Sequence, residues 1–217
     1  MSLLFDLQHE LRATAEVVVP GGRHRPDAPV VLTGGATVRG GPGAVLDGRH
    51  RVPLLVIDAP GAVVRLEALS FEDAGGPAVQ VERGTVEVVG CSFSGGRATK
   101  VGGGGVLARL GEVVLRRCVF TENVGRQGGA VLADGAAVVR AYDSLFAFNG
   151  AAQGGVGGAA LLFGQRLHVL ALVQRGQRVR HVHGLLHHGG VRAREQVHRG
   201  AQVLAAALQA HHLPVQL

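Results

Sequence analysis

The sequence predicts an all-β solenoid of parallel strands, and three observations carry that expectation: a repeated apolar pattern, a glycine-rich and aromatic-poor composition, and a repeat region without net charge. The pattern occurs as Val64-x-Leu66-x-x-Leu69-x-Phe71, Val86-x-Val88-x-x-Cys91-x-Phe93, Val113-x-Leu115-x-x-Cys118-x-Phe120 and Val139-x-Ala141-x-x-Ser144-x-Phe146. Its phenylalanines are 22, 27 and 26 residues apart. Imperfect self-similarity at periods of roughly 20 to 50 residues marks units that stack to bury a common core.

A chain of 217 residues is long enough for one continuous core with an appendage. It holds 35 glycines but only seven phenylalanines, one tyrosine and no tryptophan, so tight turns between short strands replace an aromatic-filled globule. The valine-rich segments between the glycines agree with strands. The formal charge of +6 is not spread evenly. Residues 1–165 carry 15 Lys and Arg against 15 Asp and Glu, whereas residues 166–217 carry seven Arg against Glu195 alone. A neutral solenoid argues against a phosphate-tracking groove, and the scarcity of aromatics removes the stacking platform of a single-strand binder, so no nucleic-acid partner is expected. No secretory leader is visible, since Met1-Ser-Leu-Leu-Phe reaches Asp6 without a basic start or an apolar core. No apolar run approaches the ~20 residues of a membrane span.

Taken in order, Ser2 followed by Leu4, Leu7 and Leu11, with Asp6 in the first turn, predicts a short N-capped amphipathic helix that covers the open end of the solenoid. Short strands follow at Val17-Val-Val, Val30-Val-Leu, Ala36-Thr-Val, Ala44-Val-Leu-Asp and Leu54-Leu-Val-Ile-Asp, each ended by Gly, Asp or Pro. From residue 62 each coil pairs the Val/Leu/Cys/Phe pattern with a glycine-led strand: Gly75-Gly-Pro-Ala-Val79, Gly103-Gly-Gly-Val106, Gly128-Gly-Ala-Val131 and Gly157-Gly-Ala-Ala-Leu161. Side chains two apart share a strand face. The interval of three between Leu66 and Leu69 therefore demands a bend at Glu67-Ala68, and at Arg116-Arg117 in its equivalent.

Stacked coils then give four inward columns: Val64/Val86/Val113/Val139, Leu66/Val88/Leu115/Ala141, Leu69/Cys91/Cys118/Ser144 and Phe71/Phe93/Phe120/Phe146. Each large buried side chain contributes on the order of 1.5–3 kcal/mol. Cys91 and Cys118 fall in one column and read as reduced, buried filler, because in-register Cβ atoms stand too far apart for a disulfide.

Phe120-Thr-Glu-Asn123 followed by Gly128-Gly-Ala, and Phe146-Ala-Phe-Asn149 followed by Gly157-Gly-Ala, resemble the F-x-x-N and G-G-A repeats of right-handed parallel β-helix proteins. These belong to the pectate-lyase-like superfamily, and the closest flavour is that of polymorphic outer-membrane proteins and adhesin passengers. The resemblance spans about residues 17–163, although Phe71 and Phe93 are followed by no asparagine. It implies a right-handed, single-stranded parallel β-helix of five or six coils with an extracellular or cell-surface location. Three regions are expected: a capping helix over residues 1–16, the β-helix over 17–165, and a basic segment over 166–217. Eight of the 11 histidines lie in that segment. It reads as an out-of-frame stretch of a GC-rich gene, a cap, or a basic tail. Leu167, Leu170 and Leu172 imitate one further coil there, and Val197, Ala201, Leu204 and Leu208 mark one helix face.

No catalytic residue can be assigned from the sequence. β-Helix lyases, which the chain resembles, pair an arginine base with acidic calcium ligands, and Arg117, Arg140 and Asp143 imitate that set. The simpler reading is of surface pairs between coils: Arg117 beside Asp143, Arg65 beside Glu87, Arg116 beside Tyr142. Glu72-Asp73 is the one acidic doublet of the repeats, and with Ser94-Gly95 and Thr121-Glu122 in the following coils a second acid is expected no nearer than two coils away. The runs Gly102 to Gly105 and Gly125 to Gly129 lack the Lys-Ser/Thr and helix of a phosphate loop. His181, His183, His187 and His188 form a tract able to bind metal nonspecifically. No cofactor and no specific metal site is expected. The expected function is a non-catalytic surface or secreted module that meets a polysaccharide or cell-surface glycan. The alternative is a polysaccharide lyase or glycoside hydrolase of the same fold, and an uncovered end would give end-to-end self-association.

Overall fold

The computed structural model describes residues 6–98, 100, 102–156, 160–162 and 171–173, from residue 153 onward by backbone alone. The strands form a parallel β-solenoid of about five turns with one short N-terminal helix. Three sheets run along it. The long sheet has two arms, because Leu55–Glu67 and Val79–Val89 each cross from one arm to the other. One arm stacks Glu16–Val19, Ala36–Gly40, the later halves of those two strands, Glu112–Arg116 and Val138–Tyr142. The other stacks Val30–Leu32, their earlier halves, Val106–Ala108, Val131–Ala133 and Ala160–Leu162. A second sheet, here the phenylalanine sheet, runs from Gly22–His24 and Ala44–Asp47 through Ser70–Glu72, Ser92–Ser94, Val119–Thr121 and Leu145–Ala147 to Ala171–Val173. The third sheet is short: Arg97–Ala98, Val124–Gln127 and Gly150–Val156.

The four columns are in register. Val64 pairs with Val86, Val86 with Val113 and Val113 with Val139; Leu66, Val88, Leu115 and Ala141 follow in the same strands. Phe71, Phe93, Phe120 and Phe146 are likewise paired, and their rings stack at centroid distances of 4.8, 4.5 and 4.7 Å. All four rings are fully buried. The columns reach further back than the repeat suggested: Leu46 stands under Phe71, and Val38 and Val17 stand under Leu66. The strand pairing also continues forward, since Leu172 pairs with Phe146 at the offset expected of a further coil. Leu167, Leu170 and the helix face at Val197 to Leu208 lie outside the described residues.

The bend between the two strands of each coil is a single residue in the left-handed region: Ala68 (φ 51°), Gly90 (61°), Arg117 (53°) and Asp143 (51°). A left-handed residue reverses the alternation of faces, which lets Leu66 and Leu69 both point inward across an interval of three. A second such corner follows each phenylalanine by two residues, at Asp73, Gly95, Glu122 and Phe148.

The helix spans Leu7–Ala13, and Asp6 rather than Ser2 is its N-cap: the Asp6 carboxylate accepts from the His9 amide at 3.1 Å. An aspartate side chain satisfies an orphan amide of the first turn and favours the positive end of the helix dipole. Ser2 and Leu4 lie outside the described residues. Leu7 is buried against the core, while Gln8 meets the outer edge of Val30–Leu32. Its amide accepts from the Val31 N–H at 2.6 Å and donates to the Val31 carbonyl at 3.2 Å, as a neighbouring strand would.

Candidate functional site

Three surface features carry polar chemistry. The first is the outer face of the long sheet. Residues between the inward columns point out, so Arg39, Arg65, Glu67, Glu87, Glu112, Arg116, Arg140 and Tyr142 line it in rows one coil apart. Glu67 accepts from Arg39 at 2.8 Å and also from Arg65, which in turn reaches Glu87 at 3.0 Å. The Arg65 hydrogen bond first, and then Arg39, hold the Glu67 carboxyl below the usual carboxylate range. Arg140 pairs with Glu112, and the Arg116 guanidinium lies 4.7 Å over the Tyr142 ring. On the adjoining arm Arg83 grips Asp58 with two bonds of 2.6 and 2.8 Å, and Arg109 meets Glu82 at 3.1 Å.

The expected pairs Arg65 with Glu87 and Arg116 with Tyr142 are thus formed. Arg117 and Asp143 occupy the same bend in successive coils, but no ion pair joins them; Arg117 donates its backbone amide to the Tyr142 carbonyl instead. Arg140 is turned to Glu112 on the sheet face, so the imitation of a lyase set by Arg117, Arg140 and Asp143 is not brought together.

The second feature corrects an expectation. Glu72 does have an acidic neighbour one coil away, on the N-terminal side: Asp47 pairs with Glu72 in the phenylalanine sheet. Arg23 bridges the two, at 3.1 Å from Asp47 and 2.7 Å from Glu72, and Arg25 adds a bond of 3.0 Å to Asp47. Asp47 is 4% exposed. Burial pushes its carboxyl up, but the Arg49 amide with Arg25 and Arg23 outweighs that and leaves it below its ordinary value. Asp73 faces the His50 ring at 3.5 Å. The signal for Asp47 was present in Ala44-Val-Leu-Asp, where an acid directly follows an inward residue as Glu72 follows Phe71. Leucine in place of phenylalanine hid that coil from the repeat.

The third feature is an open cleft of about 540 Å³ between the helix and residues Val31 to Ala36, also lined by Gln8, Leu11 and Arg12. Among the described residues Arg12 is its one charged lining residue.

The repeat asparagines are interior. Asn123 and Asn149 are buried, 1% and 5% exposed, at the corner after the phenylalanine strand. The Asn149 carboxamide oxygen accepts from the Asn123 backbone and side-chain amides at 3.0 and 2.9 Å. Asn123 donates to the Phe93 carbonyl and accepts from the Gly96 amide, while Asn149 donates to the Phe120 carbonyl. They hold successive coils together and offer nothing to a ligand. The glycine runs have a packing role too. A Cβ at Gly103 or Gly125 would lie 2.7 or 2.4 Å from a backbone atom of a neighbouring coil, and one at Gly104 would lie 2.6 Å from the Gly96 carbonyl of its own coil. Among the described residues no group of three or more His, Cys, Asp and Glu is placed to hold a metal, and no helix is long and apolar enough to cross a membrane. The histidines at 181–188 lie outside the described residues.

Compared with known proteins, the chain matches no family model, no curated protein and no solved structure.

Proposed function

We propose that the chain is a non-catalytic β-helix module of the pectate-lyase-like type, carried at or beyond the cell surface, whose long-sheet face meets an acidic glycan. The observation that supports this is the Arg39–Glu67–Arg65–Glu87 ladder, in which guanidinium groups are held one coil apart by carboxylates. Each arginine keeps donors to spare, since a guanidinium has five and its carboxylate partners take only one or two. A polymer with regularly spaced carboxylates or sulfates meets those donors, and its hydroxyls meet the glutamates. The secreted, adhesin-like assignment rests on the F-x-x-N and G-G-A resemblance.

The test is binding of sulfated and uronate polymers, with neutral glucans as controls, across a salt series. The expected result is salt-sensitive retention of the acidic polymers, lost when Arg39 and Arg65 are both changed to Ser in a chain of unchanged circular dichroism. Equal retention by the double variant, or none by the parent on a broad panel, would overturn the reading.

A carbohydrate-active enzyme is the second reading, favoured by the Asp47–Glu72 pair, because glycosidases work with two carboxyl groups flanking a bond. Against it, Asp47 is held ionised and both acids are committed to Arg23. Incubation with uronate polymers in calcium, watched for unsaturated or reducing products, decides between the two. Turnover abolished by Glu72→Gln would establish the enzyme.

A further inference from the structure

Cys91 and Cys118 take no part in any surface feature, yet their placement is a site in itself. Val89 pairs with Arg116 and Ser92 with Val119, so the two cysteines stand at the same height of the coil, one coil apart. Both are free and buried. Their sulfurs have matching surroundings. The Cys91 thiol faces the Leu66 carbonyl of the coil below and the Val89 carbonyl of its own coil, each at 3.6 Å; the Cys118 thiol faces Val88 and Arg116 in the same way at 3.4 Å. Equivalent atoms of successive parallel strands are about 4.8 Å apart, which places the sulfurs about that far from one another along the stack.

That spacing is far beyond a sulfur–sulfur bond of about 2.05 Å. It matches a two-coordinate ion, since the midpoint lies about 2.4 Å from each sulfur, close to the ~2.3 Å of a metal–thiolate bond. The ion would sit between the stacked sulfurs, and the protons it displaces are those the thiols turn to the Leu66 and Val89 carbonyls and to the Val88 and Arg116 carbonyls. We propose that Cys91 and Cys118 form a linear dithiolate site for one soft d10 cation, mercury(II) by preference.

Thiolate ligands select soft ions. Binding exchanges two S–H bonds for two metal–sulfur bonds and releases two protons to solvent, with no change of oxidation state. Burial pushes both thiols up, Cys91 to about 12, so the pair stays protonated until an ion displaces the protons. A mercury(II) dithiolate is neutral, whereas copper(I) or silver(I) leaves one negative charge in an apolar core, where an unpaired charge is costly. The column offers zinc no tetrahedral set. Leu69 stands below the pair, and Ser144 above it already donates to the Tyr142 carbonyl and accepts from the Cys118 amide.

The experiment refolds the full chain from denaturant, anaerobically, with inorganic mercury(II) and an excess of a monothiol competitor, because the sulfurs are reached only when the coil opens. Expected are a thiolate-to-metal charge-transfer absorption that saturates at one ion per chain, and two sulfur neighbours by X-ray absorption. Cys91→Ser and Cys118→Ser should each weaken retention by about 100-fold or more, as loss of one of two ligands demands. Both variants should keep the far-ultraviolet circular dichroism of the parent, since Ser144 already fills that column position. Saturation at two ions, retention unchanged in either variant, equal retention of zinc, or no absorption in a refolded chain would overturn the proposal.

Discussion

The coil from Phe71 to Phe93 takes 22 residues and the next two take 27 and 26, yet the four columns pass through all of them without a slip. All five added residues of the first longer coil, and three of the four in the second, enter at one corner, the fourth lying in the turn between Val131 and Val138. In the short coil the chain turns from Asp73 into Val79 through Gly75-Gly-Pro, with backbone bonds from His50 to Asp73 and from Gly75 to Val52. In the longer coils the same corner is drawn out into the third sheet, and Gly96 and Asn123 stand where the short coil has Ala74, with Asn149 in that place after Phe146. A solenoid accepts extra length away from its columns, provided each new buried backbone group finds a partner. Gly96 shows the spatial side of that condition. A Cβ there would lie 2.2 Å from the Gly104 carbonyl and 3.0 Å from the Asn123 amide oxygen, so the coil below the first asparagine has no room for one.

The strongest test strikes what the two kinds of coil share. Phe120 stacks on Phe93 and Phe146, and Phe120→Ala should cost about 3–5 kcal/mol in chemical denaturation. A loss under ~1 kcal/mol would mean that the aromatic column does not carry the core. Next, Asn123→Ala strikes only the longer coils. It strips partners from the Phe93 carbonyl and the Gly96 amide and should cost about 2–6 kcal/mol, at ~1–3 for each buried group left unmet. Ala74 makes no such bonds, so Ala74→Gly in the short coil should cost far less.

Asp47→Asn probes the early coils and should cost about 1.5–3 kcal/mol at neutral pH, the range for bonds to a charged group. The native carboxyl titrates below the unfolded one, so its contribution is complete above the unfolded value of about 3.9. It is lost as pH falls through the depressed native value, and a pH series of denaturation midpoints should flatten there in the variant.

Gln8→Ala removes both bonds to Val31 and should cost about 1 kcal/mol. Its sharper effect is on association. The freed edge, with Val31 43% exposed, should give concentration-dependent oligomers in sedimentation, whereas an unchanged monomer would show that the helix covers the edge without Gln8. The smallest effect is a gain. Ala68 sits at the left-handed bend where the next coil has Gly90, and Ala68→Gly should stabilise by about 0.5–1 kcal/mol, the relieved left-handed penalty less the entropy of glycine.

The features that read correctly from sequence are those carried by the repeated pattern, within a coil and between coils aligned by it, as the Arg65–Glu87 and Arg116–Tyr142 pairs show. The Val64, Leu66, Leu69 and Phe71 positions and the bend between them follow from strand alternation alone, because a slip of one residue would turn a whole column outward. Asp6 as the helix cap, Asp47 beside Glu72, and the interior use of Asn123 depend on residues 22 to 30 apart or on a choice between neighbouring caps.

By itself the sequence determined the period, the inward set and the parallel stacking, since only repetition of one apolar pattern lets incomplete coils share a core. Tertiary structure decided which charges meet and where the third sheet begins. It also decided that asparagines close a corner rather than face a ligand. Those outcomes are set at the corners and in the early coils, where Leu46 stands in place of phenylalanine and the repeated pattern marks no offset.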